Sequence, residues 1–185
     1  MTAPTEYGDV TVVCRNRTGE MGYDVWAAET EGAAVWAALS ADAPVVSAEA
    51  LEALRIEAAI PRYGADIDDD IIPLEASLYN AIDWEKGCYV GQEIVARMHY
   101  RGHPNKLLVG LRFDGAPDVA LRAELFADGA DDDGKAKGFV TSVAHSPTLD
   151  ATIALAYART ALTAPGSRVR VESPDGAATA EVVET

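Results

Sequence analysis

Six short runs of β-forming residues succeed one another after Asn105: Leu107–Phe113, Ala120–Phe126, Lys137–His145, Thr152–Tyr157, Arg168–Glu172 and Ala178–Val183. Turn residues punctuate them at Gly115-Ala116-Pro117, Asp128-Gly129, Ala164-Pro165-Gly166 and Pro174-Asp175-Gly176. Six such strands with little helix among them fold as a small closed barrel or a sandwich. The six runs occupy residues 104–185, and both architectures fit them.

Residues 1–103 mix strand and helix signals, so the whole chain reads as α+β, with the boundary near Gly102 to Asn105. Val10 to Cys14 has strand character and Tyr23 to Ala28 suits its hairpin partner. The connection from Arg15 to Gly22 is polar and rich in turn residues. Thr30 is placed to cap a helix through about Ser40, with Ala34, Trp36 and Leu39 available for packing. Ser47 is placed to cap a second helix through about Ala59, with Leu51, Leu54 and Ala58 as its stripe and Pro61 as its stop. Pro73 suits the first position of a third helix, whose Leu74, Leu78 and Ile82 are spaced four apart. Cys14, inside the first strand, reads as a packed side chain.

Charge narrows the functional classes. Thirty acidic residues face fifteen basic ones, a net charge of −15, and lysine occurs only at positions 86, 106, 135 and 137. Acidic runs stand at Asp68-Asp69-Asp70 and Asp131-Asp132-Asp133. Such a surface repels nucleic acid and repels itself in dilute buffer. At molar salt the Debye length falls to roughly 3 Å, which removes that repulsion, so the composition suggests a halophile's protein. No apolar run reaches the roughly 18 residues of a membrane span, and no charged-then-apolar leader is present. Two cysteines make no disulfide framework, and a cytoplasmic location is expected.

The most reactive-looking stretch is Lys86-Gly87-Cys88-Tyr89-Val90-Gly91-Gln92-Glu93. It sets a thiol between two glycines, just before a helix expected from Gln92 to Arg101. The amides at that helix start carry partial positive charge, and Lys86 adds another, so a thiolate would be favoured there. A small buried cysteine on a tight connection is an equal reading of the same residues. Glu93 suits the helix dipole without touching a ligand. His99 and His103 lie four apart, but Gly102 and Pro104 interrupt the helix between and after them, and no third ligand has matching spacing, so no metal site is expected.

Several segments, in order, resemble one family. Thr18-Gly19-Glu20-Met21-Gly22-Tyr23-Asp24 resembles the TGExGxE/D turn of the T-protein of the glycine cleavage system and its relatives. The run from Leu54 to Gly64 resembles their LRLEAGxPxYG segment, and Pro73-Leu74-Glu75-Ala76-Ser77-Leu78 their PLEAxL segment. Lys86 to Glu93 matches KGCYxGQE, the signature of the YgfZ branch. Gly138 to Ser142, Ser146 to Leu149 and Ile153 to Tyr157 match within the barrel. The resemblance implies a partial folate-binding α/β domain followed by a small six-stranded antiparallel β-barrel over residues 104–185, with tetrahydrofolate as cofactor. T-protein relatives move a one-carbon (aminomethyl) unit onto folate. The YgfZ branch is a folate-dependent accessory to iron–sulfur proteins; T-protein has no cysteine in this segment, so Cys88 makes the accessory role the expected one, with such clients as partners and aminomethyl transfer as its alternative. A non-catalytic binding module is the third possibility.

The resemblance also assigns roles. Glu20 matches a folate-contacting glutamate, and a carboxylate suits the paired N–H donors of a pterin. Arg55 matches a ligand-contacting arginine, with a surface helix arginine paired to an acid such as Glu52 as the alternative. Tyr63 and Tyr89 are candidates to stack on the ligand's flat rings or to pack in the core. Gln92 joins the cofactor-binding set, and Cys88 is the thiol for redox or sulfur chemistry. Arg17 and Ala59 depart from the family, Ala59 standing where glycine is common. Relatives carry well over 100 further residues before the TGE turn, so the expectation is a fragment or a shortened homologue. Its exposed strand edge would pair with a missing N-terminal part or with a second copy.

Overall fold

The computed structural model describes residues 2–5, 8–129 and 133–183, with side chains from residue 9 onward. Asp131 and Asp132 of the second acidic run lie outside the described residues. The chain forms two compact units, Met1–Ile60 and Pro61–Thr185.

The first unit holds a three-stranded antiparallel sheet of β1 (Thr2–Thr5), β2 (Gly8–Cys14) and β3 (Tyr23–Trp26). The expected hairpin is β2 with β3, in a register that pairs Cys14 with Tyr23 and Thr11 with Trp26. β1 was not foreseen because Pro4 argues against a strand; as an edge strand it tolerates the missing amide. Cys14 is exposed, not packed, because it ends β2 at the mouth of the hairpin connection.

Helix α1 spans Gly32–Asp42 and α2 spans Ala48–Glu57. Thr30 does not cap α1. A tight turn precedes the helix, in which Glu31 N–H donates to the Ala28 carbonyl and Gly32 N–H to that of Glu29, so those early amides have backbone partners. The expected packing trio also fails: Val35 is the buried residue of α1, while Trp36 and Leu39 are exposed. Ser47 caps α2 as expected, accepting from Ala50 N–H at 3.1 Å. Its inner face is Ala53, Arg55 and Ile56 rather than Leu51 and Leu54, one position round the helix from the apolar stripe. The helix closes in two reciprocal bonds, Ile60 N–H to the Arg55 carbonyl and Ala59 N–H to that of Ile56. That Schellman closure puts Ala59 in the left-handed region, at φ 52°.

In the second unit the helix expected from Pro73 is absent. Residues 73–77 form tight turns, Ser77 adopts φ 58°, and a single 3₁₀ turn follows at Tyr79–Ala81. Tertiary bonding wins over the four-residue leucine spacing, because the Glu75 carbonyl accepts from Leu108 N–H at 2.8 Å and fixes this segment beside the barrel. Leu74 is still buried. Helix α3 is Gln92–Arg101, as expected.

The barrel is closed and antiparallel, in the order β4-β7-β6-β5-β8-β9. Its strands are β4 (Lys106–Phe113), β5 (Glu124–Ala127), β6 (Gly138–Ser146), β7 (Ala151–Arg159), β8 (Arg168–Ser173) and β9 (Gly176–Val183). β5 is shorter than the expected run because Arg122 turns the chain at φ 68°. Alternate residues point inward, so Leu111, Leu125, Val140, Val169, Val171 and Val182 fill the interior. A bulge between Val140 and Ser142 brings Thr141 and Ser142 to the outer wall, where both hydroxyls donate to buried Asp66 at 2.6 and 2.7 Å.

Candidate functional site

The nominated residues divide between the two units, and each set stands by itself. In the first unit, the polar connection between β2 and β3 is held by its own side chains. Asn16 Oδ1 accepts from the amides of Thr18 and Gly19, at 3.1 and 2.7 Å, and Arg17 grips Asp24 through two bonds of 2.8 and 2.6 Å. That fork explains the unusual arginine at position 17, and it holds the Asp24 carboxyl below the usual carboxylate range. The loop rests on the end of α2, where a Cβ at Gly19 would lie 3.0 Å from the Ala58 side chain.

Glu20, at the tip of this loop, is exposed and has no protein partner among the described residues. Its two oxygens are free to accept a pair of N–H groups. Arg55 is placed differently. It is 6% exposed, donates Nε and Nη2 to Glu52 at 3.1 and 2.5 Å, and donates Nη1 to the Ile60 carbonyl at 2.7 Å. Its own carbonyl also binds Ile60, so Arg55 clasps the closing turn of α2 from both ends. Of the two residues, Glu20 leaves its carboxylate open, whereas Arg55 is taken up in holding the turn.

In the second unit, the thiol segment is pinned at both ends. Asp83 Oδ1 accepts from the amides of Glu85 and Lys86, at 2.9 and 3.1 Å, and Trp84 stacks on His99 of α3 with ring centroids 4.0 Å apart. At the far end Gly91 takes φ 89° at the start of α3, a backbone that a side chain would strain. Between these anchors Cys88 is exposed, so the small-buried-residue reading is corrected: nothing in the short loop covers it. Lys86 sits 4.6 Å above the Tyr89 ring. Gln92 is half-buried and its amide donates to the Tyr89 carbonyl. Glu93 pairs with Arg97 on the exposed face of α3. Tyr63 is exposed too, its hydroxyl 3.0 Å from Asp69, and that bond to a carboxylate raises the phenol's pKa. Core packing is therefore not its role. Among the described residues no three His, Cys, Asp or Glu side chains are grouped to hold a metal ion, and no helix is long and apolar enough to cross a membrane.

Two features escaped the sequence reading. Asp66 joins residues 75 and 76 positions away, and no local pattern announces such a bond. A basic cleft on the barrel wall draws on Lys106 and Lys137, two of the four lysines. Their scarcity was the available signal.

Comparison with known proteins adds to this geometry. Residues 4–86 match the GCVT N-terminal domain, and residues 106–185 match the glycine cleavage T-protein C-terminal barrel domain. The chain is 36% identical over 170 residues to an aminomethyltransferase of Picosynechococcus, covering 90% of this chain and 45% of that protein. It is 35% identical over 176 residues to an aminomethyltransferase of Symbiobacterium thermophilum, covering 91% and 45%. The crystal structure of glycine cleavage system aminomethyltransferase T from Bartonella henselae superposes with a TM-score of 0.81 at 26% identity, over 98% of this chain and 50% of that one. A mixed α+β unit joined to a closed six-stranded barrel thus has matches along nearly its whole length, and the chain belongs to the glycine cleavage T-protein-related family. It spans about half the length of the curated relatives it matches.

Proposed function

We propose that this chain is the tetrahydrofolate-binding part of an aminomethyltransferase. The observation that carries the reading is the likeness to proteins named aminomethyltransferase across both units, with the closed barrel in place. Tetrahydrofolate, when bound, supplies the nitrogen that takes up the one-carbon unit. Glu20 accepts the paired N–H groups of the pterin, and Arg55 keeps the end of α2 in register beneath the Glu20 loop. Within the second unit, the family resemblance makes Tyr63 and Tyr89 candidates for ring stacking and Gln92 a candidate hydrogen-bonding side chain at the start of α3. The boundary at residues 103 and 104 separates the folate-binding part from the barrel domain, a division supported by the barrel match beginning at 106. Calorimetric titration of the full chain with tetrahydrofolate should give saturable heat, weakened about tenfold in Glu20→Gln. No heat at millimolar ligand overturns the reading. One-carbon transfer assayed with the intact gene product tests the activity itself.

A second reading is favoured by one observation, the exposed thiol in Lys86–Glu93. In it the protein is a YgfZ-like accessory, and Cys88 serves iron–sulfur client proteins. Cys88→Ala would then keep its fold and folate affinity but lose support of iron–sulfur enzymes in complementation; full complementation sinks this reading. We also propose that the acidic chain belongs to a high-salt cytoplasm. Circular dichroism should show folded structure growing as potassium chloride rises to molar levels, and an unchanged spectrum contradicts it.

A further inference from the structure

The folate reading leaves a basic concave surface of the barrel unused. A cleft of about 860 Å³ opens on the outer wall, with Phe139 and Tyr157 among its lining and Lys106, Arg122, Lys137 and Arg159 around them. Those are four of only fifteen basic residues in a chain of net charge −15. Scattered cations on such a surface need no explanation; four facing one cleft do.

Strand register produces the convergence. Lys106 of β4 is directly opposite Arg159 of β7, and the Arg159 amide donates to the carbonyl of Lys137, just ahead of β6. Three cations thus stand side by side across three neighbouring strand ends. Like charges directly opposite one another destabilise a sheet. Acids relieve part of the repulsion: Lys106 Nζ lies 3.6 Å from Glu75, Lys137 pairs with Asp133 at 2.8 Å, and Arg122 reaches Asp68 at 4.0 Å. Arg159 has no ion pair among the described residues. Glu124, which also lines the cleft, has no cation partner there either, so the lining carries four positive charges against two carboxylates. The aromatic rings hold two of the cations, with Lys106 Nζ 5.1 Å from the Tyr157 ring and the Arg122 guanidinium 4.7 Å from that of Phe139.

We propose that this cleft is a binding site for a small molecule carrying two or more oxyanion groups, phosphate or carboxylate, with Arg159 as its principal anchor. The cations are spread over four segments of chain, and the volume exceeds what a single oxyanion fills. A ligand with two or more anionic groups meets them together and removes the uncompensated repulsion at Arg159.

The test is calorimetric titration of the full chain at fixed ionic strength, with pyrophosphate in one arm and citrate in the other. Saturable binding of pyrophosphate alone assigns a phosphate ligand, and of citrate alone a carboxylate ligand. Arg159→Ala should weaken binding about tenfold while Arg159→Lys keeps most of it. Arg168→Ala, which removes a cation outside the cleft, should leave binding unchanged. Without any anion, Arg159→Ala should melt no lower than the parent, because it removes repulsion and no partner. Absence of heat with both probes at millimolar concentration overturns the site. So does parental affinity in Arg159→Ala, or an equal loss in Arg168→Ala.

Discussion

Strand β7 and helix α1 are of similar length and opposite fate. Eight of the nine residues of β7 are buried, from Ala151 to Ala158. Helix α1 buries only Val35 among its eleven, and leaves Trp36 and Leu39 exposed. The strand is bonded on both edges, by β4 and β6, and buried on both faces: inward-facing Ala154 and Ala156 lie in the barrel core, and Tyr157 on the opposite face is fully covered as well. The helix has one packed line. Closure makes the difference, since a closed barrel gives each strand two neighbours and an interior to fill, whereas a surface helix buries only the face it presents.

The sharpest test of that contrast pairs two leucines. Leu111 is fully buried in the barrel and Leu39 is half exposed on α1. Leu111→Ala should cost about 4 kcal/mol in denaturant unfolding, from lost transfer energy and an unfilled cavity. Leu39→Ala should stay within about 0.5 kcal/mol. Equal effects would mean that exposure does not divide the two regions energetically.

The next test concerns the barrel's outer wall. Asp66 is 2% exposed and accepts from the Thr141 and Ser142 hydroxyls and from Arg62 N–H at 3.0 Å. Asp66→Ala should cost about 3 kcal/mol, because it leaves buried donors without acceptors. Urea unfolding measures it, and a loss below that of a typical surface change would show that water replaces the carboxylate.

Tyr157 on the same wall gives a change of opposite sign. It is fully buried and its hydroxyl lacks a partner among the described residues. Burial, reinforced by the nearby Asp66 and Glu75 carboxylates, pushes its pKa well above the ordinary tyrosine value. The folded state therefore disfavours the phenolate. Stability linked to this group is complete below the unfolded pKa, about 10, and falls as pH rises above it. Tyr157→Phe should stabilise the protein by about 1 kcal/mol at neutral pH, through loss of an unpaired buried hydroxyl. The gain should widen above pH of about 10. Melting curves across that range check both signs.

How much of this was legible depends on the range of the interactions. The barrel strands and α3 were readable because alternation, turn glycines and a helix start are local signals. The Pro73 helix was misread because its leucine spacing is local while the Glu75–Leu108 backbone bond is not. Trp36 and Leu39 on α1, and Leu51 and Leu54 on α2, were assigned inward from their periodicity, yet Val35, Ala53 and Ile56 face the packing. Periodicity gives the width of an apolar stripe but not the neighbour it turns toward. For the candidate site, the turn holding Glu20 and the loop presenting Cys88 could be read as sequence. The fixing of Arg55 by Ile60 could not, since it depends on how α2 ends.

That helix end carries the smallest predicted effect and the one most directly tied to the residue sequence. The Schellman closure of α2 requires a left-handed residue at its C′ position, and this chain supplies Ala59 at φ 52°. Alanine there crowds its Cβ against the following carbonyl, at a cost of roughly 1–2 kcal/mol that glycine escapes. Glycine in turn loses more backbone entropy on folding, by roughly 0.5–1 kcal/mol. The difference predicts that Ala59→Gly stabilises by about 0.5 kcal/mol. The gain should appear in the first unit, as slower hydrogen exchange of the Ile60 amide, whose bond to Arg55 closes the turn. The barrel core around Leu111 should exchange as before. A loss of stability would mean that Arg55, through its bond to the Ile60 carbonyl, already holds the turn so firmly that alanine's lower unfolded-state entropy outweighs its strain.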